Sequence, residues 1–408
     1  MVNLAGMEAS AGSNTGELGV YLHVPFCRGK CDYCAFPSRP IAGRDELDRY
    51  LEALAAEIDA ARALLSRARL HSVYFGGGTP SLVPPSEIAS LLGSLRQAAA
   101  EFPGEAEVTL EANPESVGLK SLEALRRAGV NRLSLGVQSF EDGALRSLGR
   151  PHDAASAERA IVAARRAGFH NLSLDLIVAL EDPWTDSFED DLGRAVALAP
   201  EHLSVYLLSV DAPSVLARAT AAGTRALPCD ERRSDIFERC SAVLRAAGYE
   251  HYEVSSFARP GWRAVHNCGY WEGRAYLGLG AAAHSFLPEP GGVVRRFNIA
   301  DPDEYVARVG QALSPVESAE HLSPAVHLRE RLMLTLRTSD GVVPADYGEA
   351  AEALATKLER GVARGLFVRS RESGRARYRP TAKGFLLADG IALDLWDLIP
   401  DSPSNRAP

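Results

Sequence analysis

Short apolar runs alternate with amphipathic stretches over the first 250 residues of the chain. Between residues 45 and 65, apolar side chains recur at three- and four-residue steps, which predicts a helix. Runs rich in β-branched and aromatic residues predict buried strands. The predicted strands are residues 19–24, 71–75, 107–110, 132–137, 171–178 and 202–209. The predicted helices are residues 45–65, 85–100, 121–128, 154–167, 187–198 and 231–247.

This alternation indicates an α/β fold. Strands that alternate with helices form a parallel sheet. Six such units are too few for a closed barrel of eight, so we predict a partial (β/α)6 TIM-like barrel over residues 18–247. In such sheets the ligand lies at the carboxyl ends of the strands.

The pattern changes after residue 247. Residues 248–257 read as one strand, and residues 248–300 as an extension of the barrel. For residues 301–395 we predict a C-terminal helical, winged-helix-like domain. Its predicted elements are helices at 321–336 and 350–364, a hairpin near 372–374 and a closing helix at 381–389. We expect it to cover the substrate side. Residues 1–17 and 396–408 are expected to be a disordered tail and a frayed end.

Composition narrows the class of protein. A chain of 408 residues with 46% hydrophobic and 24% charged residues is ordinary for a soluble protein of two or three domains. The net charge of -9 argues against a nucleic-acid partner. No run of about 18 uncharged apolar residues predicts a membrane span, and the N-terminus does not resemble a signal peptide.

Three of the six cysteines lie within eight residues, directly after the first predicted strand, at Cys27, Cys31 and Cys34. Structural zinc takes four ligands, and only three are local. A disulfide pair is the other alternative. Three thiolates on a [4Fe–4S] cluster leave one iron free for a small chelating molecule. We favour the cluster, which fits a reducing cytoplasm.

Polar residues and glycines follow the other predicted strands. They are Gly76, Gly77, Gly78 and Thr79, then Glu111, Gln138, Asp175 and Tyr206. Glycine lets a backbone approach a ligand closely. A plain strand-to-helix turn would also explain the glycines, and helix capping would explain the polar side chains. Their shared place at strand ends favours a binding site.

The cysteine loop resembles that of the radical S-adenosylmethionine superfamily. Several segments are similar to the branch that contains oxygen-independent coproporphyrinogen III oxidase and the HemW heme chaperones: YLHVPFC, FGGGTPS, EANPES, NRLSLGVQSF, LGRPH and SLDLIVAL. The resemblance spans about residues 19–390. It implies that the three cysteines hold the cluster. It also implies S-adenosylmethionine contacts from Tyr21, Tyr33, Gly77, Gly78, Thr79, Glu111, Gln138, Arg150 and Asp175. The branch has Gly-Leu-Pro after the Asp175 strand, where this chain has residues 179–183, ALEDP.

A second motif, HNCGYW at residues 266–271, resembles the HNxxYW signature of the HemW chaperones. Histidine is a frequent ligand of heme iron, and aromatic rings stack on flat macrocycles. The resemblance therefore implies heme contacts from His266, Tyr270 and Trp271. Alternatively, His266 and Trp271 only brace the mouth of the sheet. Cys268 reads as a small buried thiol.

Three functions are compatible with the sequence. The first is a heme chaperone that carries the cluster and S-adenosylmethionine and delivers heme to acceptor proteins, with peripheral contact to membrane partners left open. The second is oxygen-independent coproporphyrinogen III dehydrogenase, and the third is a radical methyltransferase. The dehydrogenase pattern has a cysteine two residues after the third ligand, where this chain has Phe36. We therefore favour the chaperone and expect no dehydrogenase activity.

Overall fold

The structure is a computed structural model that describes residues 16–401. Its strands, in chain order, are β1 (Gly16–Val24), β2 (Phe26–Cys27), β3 (Arg39–Pro40), β4 (Ala68–Gly77), β5 (Glu107–Ala112), β6 (Arg132–Gln138), β7 (Leu172–Val178), β8 (His202–Leu207), β9 (Glu250–His251), β10 (Ser256–Ala258), β11 (Tyr276–Leu279), β12 (His284–Glu289), β13 (Gly292–Asn298), β14 (Val316–Leu322), β15 (Phe367–Glu372) and β16 (Arg375–Pro380).

The helices surround this framework. In chain order they are α1 (Arg44–Ala60), α2 (Arg62–Leu65), α3 (Pro85–Ala98), α4 (Leu119–Ala128), α5 (Asp142–Ser147), α6 (Ala154–Arg166), α7 (Phe188–Ala197), α8 (Val215–Ala221), α9 (Asp230–Ala246), α10 (Val265–Trp271), α11 (Pro302–Gly310), α12 (Pro324–Thr335), α13 (Ala351–Ala363), α14 (Ala382–Leu386) and α15 (Ala388–Trp396).

One twelve-stranded sheet carries the fold, in the order β14-β13-β12-β11-β1-β4-β5-β6-β7-β8-β10-β9. The six predicted strands are its parallel centre, β1 and β4 to β8. This confirms the predicted (β/α)6 core. The sequence did not predict that β11 adds a further parallel strand beside β1. Beyond it, β12 to β14 continue the sheet in antiparallel pairs.

The two faces of the parallel strands differ in chemistry because successive side chains point to opposite sides. On β1, Val20 and Leu22 are fully buried and belong to the main apolar core, together with Leu54 and Ile58 of α1. The neighbouring Tyr21 points to the other side, where its ring stacks 6.0 Å from that of Tyr74 on β4. The apolar face therefore holds the helices, and the concave face of the sheet presents polar side chains.

Two predicted segments differ from the structure. Residues 248–257 form two short strands, β9 and β10, joined by a turn and paired antiparallel, because the backbone N–H of Tyr252 donates to the carbonyl of Ser256. The first residues of the predicted helix 321–336 belong instead to strand β14, and Ser323 caps the helix that begins at Pro324. The predicted strand ending at Phe257 therefore becomes a hairpin at one edge of the sheet.

The predicted tails lie mostly outside the described residues. Gly16 and Glu17 nevertheless belong to β1, and Trp396 ends α15. Ile399 is buried in the C-terminal apolar cluster. The described strands, helices and core packing thus extend slightly into both predicted tails.

The C-terminal region has the predicted order of helix, helix, hairpin and closing helices, which are α12, α13, β15 with β16, and α14 with α15. Its own apolar cluster includes Leu336, Leu354, Leu358 and Phe367. The domain boundaries at residues 247 and 300 remain predictions. Across residues 16–401, no helix is both long and apolar enough to cross a membrane.

Candidate cofactor and ligand site

The three clustered cysteines follow β1: Cys27 ends the short strand β2, and Cys31 and Cys34 lie in the loop after it. Cys27, Cys31 and Cys34 are half-buried and form no disulfide. The loop turns tightly, since the backbone N–H of Cys34 donates to the carbonyl of Cys31 at 3.1 Å. The disulfide alternative is therefore not what the structure shows.

A buried guanidinium fixes one side of this loop. Nη1 of Arg150 lies 3.3 Å from Sγ of Cys31. Its Nη2 donates to Oδ1 of Asn113 at 2.7 Å and to the carbonyl of Gly136 at 3.0 Å. Arg150 therefore ties the cysteine loop to the ends of β5 and β6 and places a positive charge beside a sulfur atom.

The donor set fits a multi-iron cluster better than a single ion. Among residues 16–401, no three His, Cys, Asp or Glu side chains converge on a point that would hold one metal ion. Thiolates that bind a [4Fe–4S] cluster each take a different iron, so they stand apart around the cluster. Three free thiols on one loop, with a cation beside them, match that requirement.

A cavity of about 360 Å³ opens next to this loop, and we call it the cysteine cavity. It is enclosed by the three cysteines and by the carboxyl ends of β4 to β8. Most residues predicted to contact S-adenosylmethionine line it, namely Tyr33, Gly77, Gly78, Thr79, Glu111, Gln138, Arg150 and Asp175. The structure therefore brings these predicted residues together around one space.

Two of the carboxylates that line the cysteine cavity lie on parallel strands, Glu111 on β5 and Asp175 on β7. Glu111 accepts hydrogen bonds from the hydroxyl of Tyr74 at 2.7 Å and from the backbone N–H of Gly77 at 3.2 Å, and burial raises the pKa of Glu111 to about 7. Asp175 accepts from the hydroxyl of Ser134 at 3.0 Å, and burial raises the pKa of Asp175 as well. Neither side chain caps a helix, so capping does not explain them.

The glycine loop has a structural reason of its own. A Cβ on Gly78 would lie 2.5 Å from the carbonyl oxygen of Phe26, at the start of the cysteine loop. Gly77 has a φ of 112°, which disfavours other residues. The glycines therefore let the loop after β4 pack directly against the cysteine loop while it also lines the cavity.

A second and larger space, of about 770 Å³, adjoins the first, and we call it the aromatic cavity. Phe36, Gly77 and Glu111 line both. Its walls carry six aromatic rings, which are Tyr21, Phe36, Tyr270, Tyr276, Phe286 and Phe297. Helix α12 closes one side with His327, Glu330, Arg331, Met333 and Leu334.

Four of the predicted site residues do not line the cysteine cavity. Tyr21 lines the aromatic cavity and not the cysteine cavity. Tyr270 also lines the aromatic cavity, whereas His266 and Trp271 line neither. His266 is buried behind the wall, with Nδ1 2.9 Å from Oγ of Ser72 and Nε2 2.8 Å from the hydroxyl of Tyr270. Both ring nitrogens are thus engaged within the protein.

Sequence reasoning did not select several cavity residues. His327, Glu330, Arg331 and Leu334 recur at steps of three, four and seven residues, so one face of α12 forms the wall. That spacing was visible in the sequence, but it gave no reason to connect the face with a ligand. Phe36 was noted only as a missing cysteine.

Comparison with known proteins agrees with this geometry. The family model described as the radical SAM superfamily matches residues 21–192. The heme chaperone HemW of Mycobacterium tuberculosis is 36% identical over 396 residues, covering 97% of this chain and 98% of that protein. The chain belongs to the HemW family of the radical SAM superfamily. This confirms the resemblance inferred from the motifs.

Two further relatives come from other organisms. HemW of Escherichia coli is 38% identical, over 68% of this chain and 72% of that protein. The mitochondrial radical S-adenosyl methionine domain-containing protein 1 of mouse is 32% identical, over 98% of this chain and 94% of its own length. Among solved structures, coproporphyrinogen III oxidase (HemN) from Escherichia coli superposes with a TM-score of 0.79 at 24% identity, covering 95% of this chain and 91% of that one. The likeness to HemN concerns the fold.

Proposed function

We propose that this protein is a heme chaperone that binds heme in the aromatic cavity and passes it to acceptor proteins. A [4Fe–4S] cluster and S-adenosylmethionine would occupy the adjoining cysteine cavity. The observation that carries the proposal is the pairing of the two cavities in a HemW chain. The larger cavity shares Phe36, Gly77 and Glu111 with the smaller one.

The cysteine cavity supports the proposed cofactor contacts. Cys27, Cys31 and Cys34 would hold three irons of the cluster. When bound, the cluster and S-adenosylmethionine together supply one-electron chemistry. The chain's own part is to orient the nucleotide: Glu111 and Asp175 offer carboxylate oxygens to its hydroxyl or ammonium groups. Tyr33, Gly78, Thr79 and Gln138 enclose the same space.

The aromatic cavity suits a flat macrocycle. The rings of Tyr276 and Phe286 lie nearly parallel, 6.2 Å apart at 16°. Its volume is within the range of about 300–1,000 Å³ that holds cofactor-sized ligands. Arg274, Arg295 and Arg331 also line it. Arg331 offers positive charge to a carboxylate substituent, whereas Arg274 and Arg295 pair with glutamates of the chain. His266 and Tyr270 would shape the wall, and Trp271 would act from outside it.

Coproporphyrinogen III dehydrogenation is the second candidate, because the HemN fold matches most of the chain. The residue at its extra cysteine position is here Phe36, which has 67% of its surface exposed and lines both cavities. A phenyl ring supplies neither a thiolate nor a proton. Phe36 therefore favours heme binding by a chaperone over the dehydrogenase reaction.

One experiment separates the two candidates. Anaerobically reconstituted protein is titrated with heme and, separately, incubated with coproporphyrinogen III, S-adenosylmethionine and a reductant. We expect saturable heme binding at one site and no protoporphyrinogen IX. Multiple turnovers of decarboxylation would overturn the chaperone assignment.

The proposal extends to the setting of the protein. A chaperone with free thiols and an oxygen-sensitive cluster requires reducing conditions, which the cytoplasm provides. Acceptors that lie at a membrane would then be reached by peripheral contact. Heme transfer from the loaded chain to an apo-acceptor, followed by absorbance with and without vesicles, tests this extension.

A further inference from the structure

Three histidines line the aromatic cavity, His23, His284 and His327, and they differ in whether a ring nitrogen is available. In His23, Nδ1 lies 2.9 Å from the hydroxyl of Tyr21 and Nε2 lies 3.0 Å from the carbonyl of Pro37. Both nitrogens are therefore occupied, as they are in His266 behind the wall.

His327, on α12, lines the cavity with one of its ring nitrogens shielded. Its ring meets that of Phe286 edge-on, with centroids 5.7 Å apart. Its Nε2 is shielded from solvent and has no hydrogen-bond partner within the described residues. That nitrogen is therefore not open to a ligand with the side chain in this position.

His284 has the opposite arrangement. It is exposed to the cavity, and its ring nitrogens form no hydrogen bond with any residue between 16 and 401. Its ring packs against that of Phe297, with centroids 4.6 Å apart. Burial of part of the ring, and then the charge of Arg295, lower the pKa of His284. The imidazole is thus neutral near pH 7, which is the form that binds metals.

The backbone around His284 is tightly fixed. His284 begins β12 and pairs with Phe297 of β13. A Cβ on Gly278 would overlap the carbonyl oxygen of His284, at 1.9 Å. Because β12 approaches β11 so closely, position 278 requires glycine, and this contact holds His284 at a defined place on the cavity wall.

Charge at the rim completes the site. Arg295 is neutralised by Glu320 and Glu330, at 3.0 and 2.7 Å, and Arg274 pairs with Glu272. Arg331 forms no ion pair with any residue in the described part of the chain. It is the cavity cation that remains free to bind an anion.

We propose that His284 binds the iron of heme in the aromatic cavity and that Arg331 binds one of the heme propionates. This deepens the proposed function and rests on it. His266, the histidine of the HNCGYW motif, then supports the wall through Tyr270 without touching the iron.

The iron ligand is tested by spectroscopy on the full, reconstituted chain loaded with one equivalent of ferric heme. We expect His284→Ala to lose the imidazole signature in the absorbance and electron paramagnetic resonance spectra. Free imidazole added to this variant should restore it, because a small ligand can enter the vacated space. His321→Ala, at an exposed histidine paired with Glu289, is the matched control and should behave as wild type.

The outcomes are separable. If heme binds the wild type but its spectrum is unchanged in His284→Ala, the assignment of His284 is wrong while the proposed function stands. The same conclusion follows if His266→Ala loses the imidazole signature and imidazole restores it in that variant and in no other. A wild type that binds no heme overturns the proposed function and the assignment with it.

The propionate contact is tested with Arg331→Gln. We expect its heme dissociation constant to rise about tenfold, the effect of losing one charge-assisted hydrogen bond. Binding of heme dimethyl ester should be equal in wild type and variant, because the ester carries no propionate charge. An equal loss of affinity for both ligands would overturn the role of Arg331.

Discussion

The hydroxyl of Tyr270 lies 2.8 Å from Nε2 of His266, one turn earlier on α10. On the other side of the same ring, Nδ1 lies 2.9 Å from Oγ of Ser72 on β4. Burial lowers the pKa of His266 to about 3, so the ring is neutral. This pair joins α10 to the barrel and places the ring of Tyr270 on the cavity wall.

We predict that Tyr270→Phe destabilises the protein. The change leaves a buried ring nitrogen of His266 without a partner, which costs about 1–3 kcal/mol in the free energy of unfolding. Urea denaturation followed by circular dichroism measures it. Tyr276→Phe is the control, since the hydroxyl of Tyr276 forms no hydrogen bond in the described part of the chain. Equal stability of Tyr270→Phe and wild type would contradict the prediction.

Replacement of Cys27, Cys31 or Cys34 by Ala should remove the iron and the brown absorbance of the reconstituted protein, because each thiolate binds one iron. The remaining cysteines serve as controls: Cys229 is exposed, Cys240 is buried, and Cys268 lies on α10. Their Ala variants should keep the iron content of wild type. The iron content of each variant is measured after anaerobic reconstitution. Loss of iron from Cys240→Ala would show that the cluster ligands have been wrongly assigned.

Asp175→Ala and Gln138→Ala should each weaken S-adenosylmethionine binding by about 1–3 kcal/mol, the cost of leaving a buried polar group of the ligand unpaired. Calorimetry on the reconstituted protein measures the affinity. Asp191→Asn is a matched control, because Asp191 is a buried carboxylate held by Ser139 and Phe140 and does not line the cysteine cavity. Unchanged affinity in both site variants would remove these residues from the site.

The sequence allowed prediction of most of the barrel and of the cysteine cavity. Each βα unit is local in the chain, so periodicity locates its strand and helix. Parallel pairing then brings the strand ends together, and with them Glu111, Gln138 and Asp175. Motif resemblance supplied the remaining contacts, such as Arg150.

The aromatic cavity was less predictable because its walls are distant in the chain. Phe36 lies between β2 and β3, His284 begins β12, and Arg331 lies on α12. No periodicity links these segments. The motif drew attention to His266, but burial and the contacts with Ser72 and Tyr270 depend on the packing of α10 against β4.

The buried carboxyl of Glu57 gives a pH dependence to stability. It accepts from the backbone N–H of Gly280 at 2.7 Å, from Nδ2 of Asn298 at 2.8 Å and from the hydroxyl of Tyr305 at 2.7 Å. Burial, only partly offset by these bonds, raises the pKa of Glu57 from 4.5 to about 7. Between these pH values the folded protein therefore binds more protons than the unfolded chain.

Stability is consequently lost as the pH rises through this window, with the loss complete above about pH 7. A shift of this size corresponds to about 3 kcal/mol. We expect the stability of Glu57→Gln to lack this loss of about 3 kcal/mol between pH 4.5 and pH 7, because an amide side chain does not titrate. Denaturation curves at several pH values measure both slopes, and parallel slopes would contradict the prediction.

Phe36 offers a test of whether the two cavities act as one site. Its ring is 67% exposed although it lines both cavities, so a bound ligand would cover apolar surface that the free protein leaves in water. Complete burial of such a side chain contributes about 1.5–3 kcal/mol. We therefore expect Phe36→Ala to raise the heme dissociation constant about tenfold or more, with little change in the stability of the ligand-free protein.

Leu393→Ala is the control, because Leu393 is 74% exposed on α15 and lines neither cavity. Heme titration of the three proteins by absorbance is the measurement, and equal affinity of Phe36→Ala and wild type would place the heme away from the wall that the cavities share.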